Sequence, residues 1–128
     1  MCCLIYCNSG LTINRCKFNG NTNESDRTIT LPAPVAGATF KFIYAGAAEE
    51  AQNLIIVTPG NANFFLGNVQ HLDTNADNVG VYANGSSNSK LTLTDFGSME
   101  INIVGKDSTN YYIWGNVVSE DAPAFADQ

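Results

Sequence analysis

His71 is the single histidine of the 128-residue chain, so any acid–base or nucleophilic reading must run through it. Asp73 or Asp77 could orient its ring, but no Gly-x-Ser-x-Gly elbow supplies a nucleophile. A lone imidazole in that setting reads as a structural residue, and no enzymatic activity is expected. Asp73, Asn75, Asp77 and Asn78 place hard oxygen donors at close spacing, the chemistry of a calcium loop. The glycine and the distal glutamate of an EF-hand are missing, so the stretch reads as a solvated turn and no metal is expected. Glu49 and Glu50 are adjacent and diverge, which suits a solvated turn rather than an acid/base pair. Cys2, Cys3, Cys7 and Cys16 all fall near the start. Cys3 and Cys7 have one metal-ligand spacing, without a second pair or a nearby histidine. Such clustering does not staple a whole fold, so the four read chiefly as reduced, buried thiols, ahead of cross-linking or zinc. Asn23-Glu24-Ser25 and Asn84-Gly85-Ser86 match the glycosylation pattern, but no secretion signal is recognisable and both read as coincidences of an Asn-rich surface. No cofactor is implied.

The remaining chemistry lies in the rings Tyr111, Tyr112 and Trp114. Exposed, they would stack on a sugar; buried, they would pack. Along Tyr111–Val118, Tyr111, Ile113 and Val117 point one way, while Tyr112, Trp114 and Val118 point the other. Large apolar groups on both faces call for cover on both sides. One cover is the domain's own core. The other is expected to be a second subunit, which makes Tyr112, Trp114 and Val118 candidate interface residues of an obligate oligomer and sets packing ahead of sugar stacking.

Those residues must be positioned by strands. Charged residues are only 14% of the chain, and Asn, Ser, Thr and Gly take their place. The composition suits one all-β domain with many turns. Cys2–Cys7 and Leu11–Phe18 read as a hairpin about Asn8-Ser9-Gly10. A polar loop, 19–27, separates it from the body. Arg27–Leu31 is a short strand stopped by Pro32 and Pro34. In Thr39–Ala45, Phe40, Phe42 and Tyr44 form an aromatic core stripe. Asn53–Thr58 reads as a buried central strand. Asn61–Leu66 and Val69–Leu72 read as two strands parted by Gly67. Val79–Ala83, Leu91–Thr94, Met99–Val104 and Tyr111–Val118 complete about ten short strands, an antiparallel sandwich or barrel. The one helical candidate is a turn or two within Ala45–Gln52. The expected organisation is an N-terminal hairpin or arm over 1–20, a body over 28–118 and an acidic tail over 119–128, extended or disordered, with Phe125 as its sticky residue.

Two stretches carry a family resemblance. Asp107-Ser108-Thr109-Asn110 followed by Tyr111-Tyr112-Ile113-Trp114-Gly115 resembles the closing hairpin of small all-β structural proteins of tailed bacteriophages, with its turn and aromatic strand. Ile29-Thr30-Leu31-Pro32-Ala33-Pro34-Val35-Ala36-Gly37-Ala38-Thr39-Phe40 is similar to that family's opening pattern. Ser108 stands where the family usually has glycine, and Tyr111 where tryptophan is common. Members of the family decorate (cement) capsids or serve as modules of tail fibres.

The resemblance implies a structural part of the virion without choosing between these roles; the reading preferred here is a decoration protein on the outer surface of the capsid, made in the host cytoplasm. It is expected to bind the major capsid protein as a homo-oligomer, a trimer. Leu4, Tyr6, Phe18 and Phe125 are the candidate capsid contacts. A receptor- or carbohydrate-binding module of a tail fibre is the alternative. A net charge of −6 with six scattered basic residues argues against nucleic acid, and no apolar run approaches a membrane span.

Overall fold

A computed structural model describes the backbone of residues 3–8, 13–18, 26–45 and 51–128, and the side chains of 26–44 and 51–128. Two sheets lie face to face. The larger joins β1 (Cys3–Asn8), β2 (Ile13–Phe18), β4 (Thr39–Ala45), β6 (Phe64–Asp73), β7 (Val79–Asn84), β9 (Phe96–Gly105) and β10 (Asn110–Ser119), in the order β2-β1-β4-β9-β10-β6-β7. The smaller joins β3 (Arg27–Thr30), β5 (Leu54–Val57), β8 (Lys90–Leu93) and β11 (Ala124–Ala126), in the order β11-β8-β5-β3. The all-β sandwich expected from the strand rhythm is therefore observed. Pairing is antiparallel except for β6 with β10 and β3 with β5, which run parallel.

The core follows from the period-2 pattern. Phe40, Phe42 and Tyr44 of β4 face inward, as do Met99, Ile101 and Ile103 of β9 and Tyr111, Ile113 and Val117 of β10. Leu54, Ile56, Leu91 and Leu93 of the smaller sheet meet them. Tyr44 packs edge-on to Phe96, with ring centroids 5.1 Å apart. Phe65 sits between Tyr111 and Phe125, with centroids 6.1 and 6.2 Å away.

Two expectations change. Gly67 does not end a strand: β6 runs through it for ten residues. Its φ of 137° and the Ile113 carbonyl, which a Cβ at Gly67 would meet at 2.0 Å, explain why glycine stands there. It is a site of close strand approach, not a turn. The C-terminal segment is not an extended arm. It forms β11 on β8, and half-buried Phe125 packs against the core. Asn61, Thr58 and Ser89 then hold Gln128, whose Nε2 donates to the Thr58 carbonyl at 2.9 Å and whose amide N donates to Ser89 Oγ at 3.0 Å. The N-terminal hairpin is laddered onto the body, since β1 pairs with β4 from Cys3↔Tyr44 to Asn8↔Thr39. The helical turn expected within Ala45–Gln52 lies, at 46–50, outside the described residues.

Phe65 is fully buried and joins both sheets, so Phe65→Ala is expected to cost about 3–5 kcal/mol in denaturant unfolding. Leu72→Ala, at a position 38% exposed, is expected to change stability by less than about 0.5 kcal/mol.

Candidate binding face of the seven-stranded sheet

The polar residues with the greatest chemical potential are engaged in structure. His71 is buried, and its Nε2 donates to the Ser119 carbonyl at 3.1 Å, which assigns the proton to that nitrogen. Its Nδ1 has no hydrogen-bond partner among the described residues and lies 3.9 Å from Asp73 Oδ2. Asp73 Oδ1 accepts from the backbone N–H groups of Asn75 and Ala76, at 2.7 and 2.8 Å, and Asn78 Oδ1 accepts from Asp73 N. These bonds make an Asx turn of the stretch that resembled a calcium loop. The backbone bond from Asn75 chiefly holds the Asp73 carboxyl below its usual range. Among the described residues no three His, Cys, Asp or Glu side chains gather as metal ligands.

The two resemblance stretches meet each other at one end of the sandwich. The Tyr111 ring is fully buried and edge-on to Phe40, and its hydroxyl donates to the Pro32 carbonyl. Burial pushes the Tyr111 phenol up to about 12. Gly37 N donates to the Gly105 carbonyl and Gly105 N to the Ala38 carbonyl, both at 2.8 Å. A Cβ on Gly105 would lie 1.9 Å from the Val35 carbonyl oxygen, so only glycine lets the proline loop close on β9. Asp107 organises the following turn: its Oδ1 accepts from Thr109 N and Asn110 N, and its Oδ2 pairs with Lys106 Nζ at 2.8 Å. The Lys106 bond first, and the two backbone bonds next, bring the Asp107 carboxyl down to about 2.

Tyr112, Trp114 and Val118 share the outer side of β10, as their alternation predicts. Tyr112 is 43% exposed and Trp114 49%, while Val118 is half-buried. Among the described residues no further layer covers this side. Its neighbours are wetter than the one-dimensional pattern suggests. Trp114 is flanked by Asn102 of β9 and Asn68 of β6, and Asn68 is in turn paired with Tyr82 of β7, which is 73% exposed. Asn116 lies between Glu100 and Gln70, Tyr112 between Val104 and Leu66, and Val118 between Ser98 and Leu72. Gln70 Nε2 donates to Asn68 Oδ1 at 3.1 Å. Glu100 bonds Lys41 Nζ at 2.7 Å, which chiefly lowers its carboxyl, and lies within 3.4 Å of Asn102 Nδ2. The rings Tyr112 and Trp114 therefore fill one internal layer on neither side. They stand on an open face of aromatic and amide side chains, and the premise that two packed layers consume them does not hold within this chain.

Sequence reasoning missed Tyr82, Asn68 and Gln70. Their outward alternation is readable in β6 and β7, but their place beside Trp114 depends on the parallel β6–β10 pairing. Of the candidate capsid contacts, Phe125 is half-buried and packs against the core, and the side chains of Leu4, Tyr6 and Phe18 lie outside the described residues.

Gly105→Ala is expected to destabilise the protein by several kcal/mol, roughly the scale of a buried steric clash, with a matching fall in melting temperature. The depressed Asp107 carboxyl stabilises the fold fully above its ordinary value of 3.8, and that contribution is lost as pH falls toward about 2. Asp107→Asn removes this dependence, so melting measured from pH 5 to pH 2 should fall less steeply in the variant than in the parent. No protein-family model, curated protein or solved structure matches this chain.

Proposed function

We propose that the chain is a non-enzymatic capsid-decoration (cement) module of a tailed phage, bound to the outside of the assembled head and clamping neighbouring major capsid subunits. The observation that carries the reading is the interlock of the two resemblance stretches. The proline loop and the closing hairpin, far apart in sequence, seat one on the other through Tyr111, Pro32, Val35 and Gly105. That mutual fit is what a shared structural motif requires.

The topology supplies a surface for the task. β2 stands at the edge of the seven-stranded sheet. Among the described residues its outer backbone ladder faces no further strand, so the hairpin β1–β2, with Leu4, Tyr6 and Phe18, is the element we assign to the capsid. Assembly as a trimer would multiply a weak contact into a durable one, and binding only to the assembled shell would stabilise that shell by mass action.

Purified protein mixed with emptied phage heads is expected to bind in a fixed copy number countable by electron microscopy. A variant lacking residues 1–20 is expected to lose that binding. Heads that remain bare with the full chain would overturn the reading, and a module of a tail fibre would leave them bare.

A further inference from the structure

We infer that the row Trp114–Asn68–Tyr82 on the outer side of the seven-stranded sheet is a binding site for a neutral, extended, equatorially linked glycan. The inference goes beyond capsid decoration and stands on a different surface.

The first argument is spacing. Trp114 of β10 and Tyr82 of β7 are both paired with Asn68 of β6, so the two aromatic positions lie two strands apart in one row. At the usual strand separation that is roughly 10 Å. This matches the length of one two-sugar unit in an equatorially linked pyranose chain, where every second sugar turns the same flat C–H face to one side. Rings at that separation would stack under alternate sugars.

The second argument is posture. Tyr82 shares the outer side of β7 with Gly80, and a Cβ on Gly80 would lie 3.2 Å from the Tyr82 hydroxyl and 3.3 Å from Gln70 Nε2. The tyrosine therefore runs along its own strand, with its hydroxyl end over the position that has no side chain and near the Gln70 amide. The rest of its ring is left to solvent at 73% exposure, which gives a sugar an aromatic surface to stack on.

The third argument is polarity. Asn68 lies between the rings, Gln70 is bonded to it, and Asn102 flanks Trp114 on the far side. Amides carry both donors and acceptors and match sugar hydroxyls. The row has no charged side chain between its rings, and the nearby Lys41 and Glu100 are paired with each other. The overall charge of −6 further disfavours a polyanion. A sister chain pressed on this face would have to satisfy Asn68, Gln70, Asn102 and Asn116 in a dry interface, where each unpaired amide is costly. Glycan hydroxyls satisfy them directly.

Trp114 is the chain's only tryptophan, so its fluorescence reports on the row without labelling. The full chain titrated with chitohexaose, cellohexaose and β-mannohexaose is expected to show a saturable spectral shift with at least one of them. Tyr82→Ala and Asn68→Ala should weaken that binding by about tenfold, while Leu72→Ala leaves it unchanged. Trp114→Ala, followed by calorimetry, should abolish it, and thermal melts verify that each variant folds. No saturable response to any of the three oligosaccharides would overturn the inference. So would a lower solution mass for Trp114→Ala or Tyr82→Ala by light scattering, because a sister chain would then own this face. Neither result touches the binding of phage heads by the opposite edge.

Discussion

The structure depends on where one ring goes. Tyr111 is wholly enclosed between the sheets, against Phe40 on one side and Phe65 on the other, with its phenol oxygen satisfied by the Pro32 carbonyl. A buried hydroxyl without a partner costs about 1–3 kcal/mol, so the ring and the proline loop must be set together. Once Tyr111 points inward, the pleat sends Tyr112 and Trp114 outward. A slip of one residue would expose the core ring and bury the tryptophan against the smaller sheet. The inner packing and the outer aromatic face are thus two sides of a single choice of register.

The parallel neighbour reinforces that choice. Gly67 lets β6 come so close to β10 that no side chain fits between its Cα and the Ile113 carbonyl. This approach fixes which residue of β6 stands beside Trp114, and so places Asn68, and through it Tyr82, in the row. Asp107 acts at the other end of β10 by gathering the turn amides on its carboxylate. Each of these residues is small or polar, and each determines where a large apolar one can go.

Much of this was legible in one dimension. The aromatic stripe of β4, the alternation of Met99, Ile101 and Ile103, and the two-sided split of Tyr111–Val118 each read correctly from period 2, because burial on one face leaves that mark on the sequence. Three features left no such mark. Gly67 looked like punctuation, since a glycine that permits close strand approach is identical in sequence to one that permits a turn. The tail reads as an extended or disordered arm because Ala-Phe-Ala has too few residues to show a period, although half-buried Phe125 packs against the core. The make-up of the outer face leaves no mark within β10 alone. Its character comes from Asn102 and Asn68 on strands whose adjacency no local pattern encodes.

The two parallel pairings also bear on how the chain reaches this state. A parallel pair cannot be closed by a tight turn. The start of β6 meets the start of β10 across a separation of 46 positions, seen in the bond from Asn63 Nδ2 to the Thr109 carbonyl. The intervening β7, β8 and β9 must find their places before, or together with, that contact, and the entropy of so large a loop is lost before the ladder returns anything. Such topologies fold on the order of milliseconds to seconds rather than microseconds. During that interval the backbone edge of β6 that will receive β10 stands open beside Phe65, which makes the order of assembly, and not only its end point, a property written into this sheet.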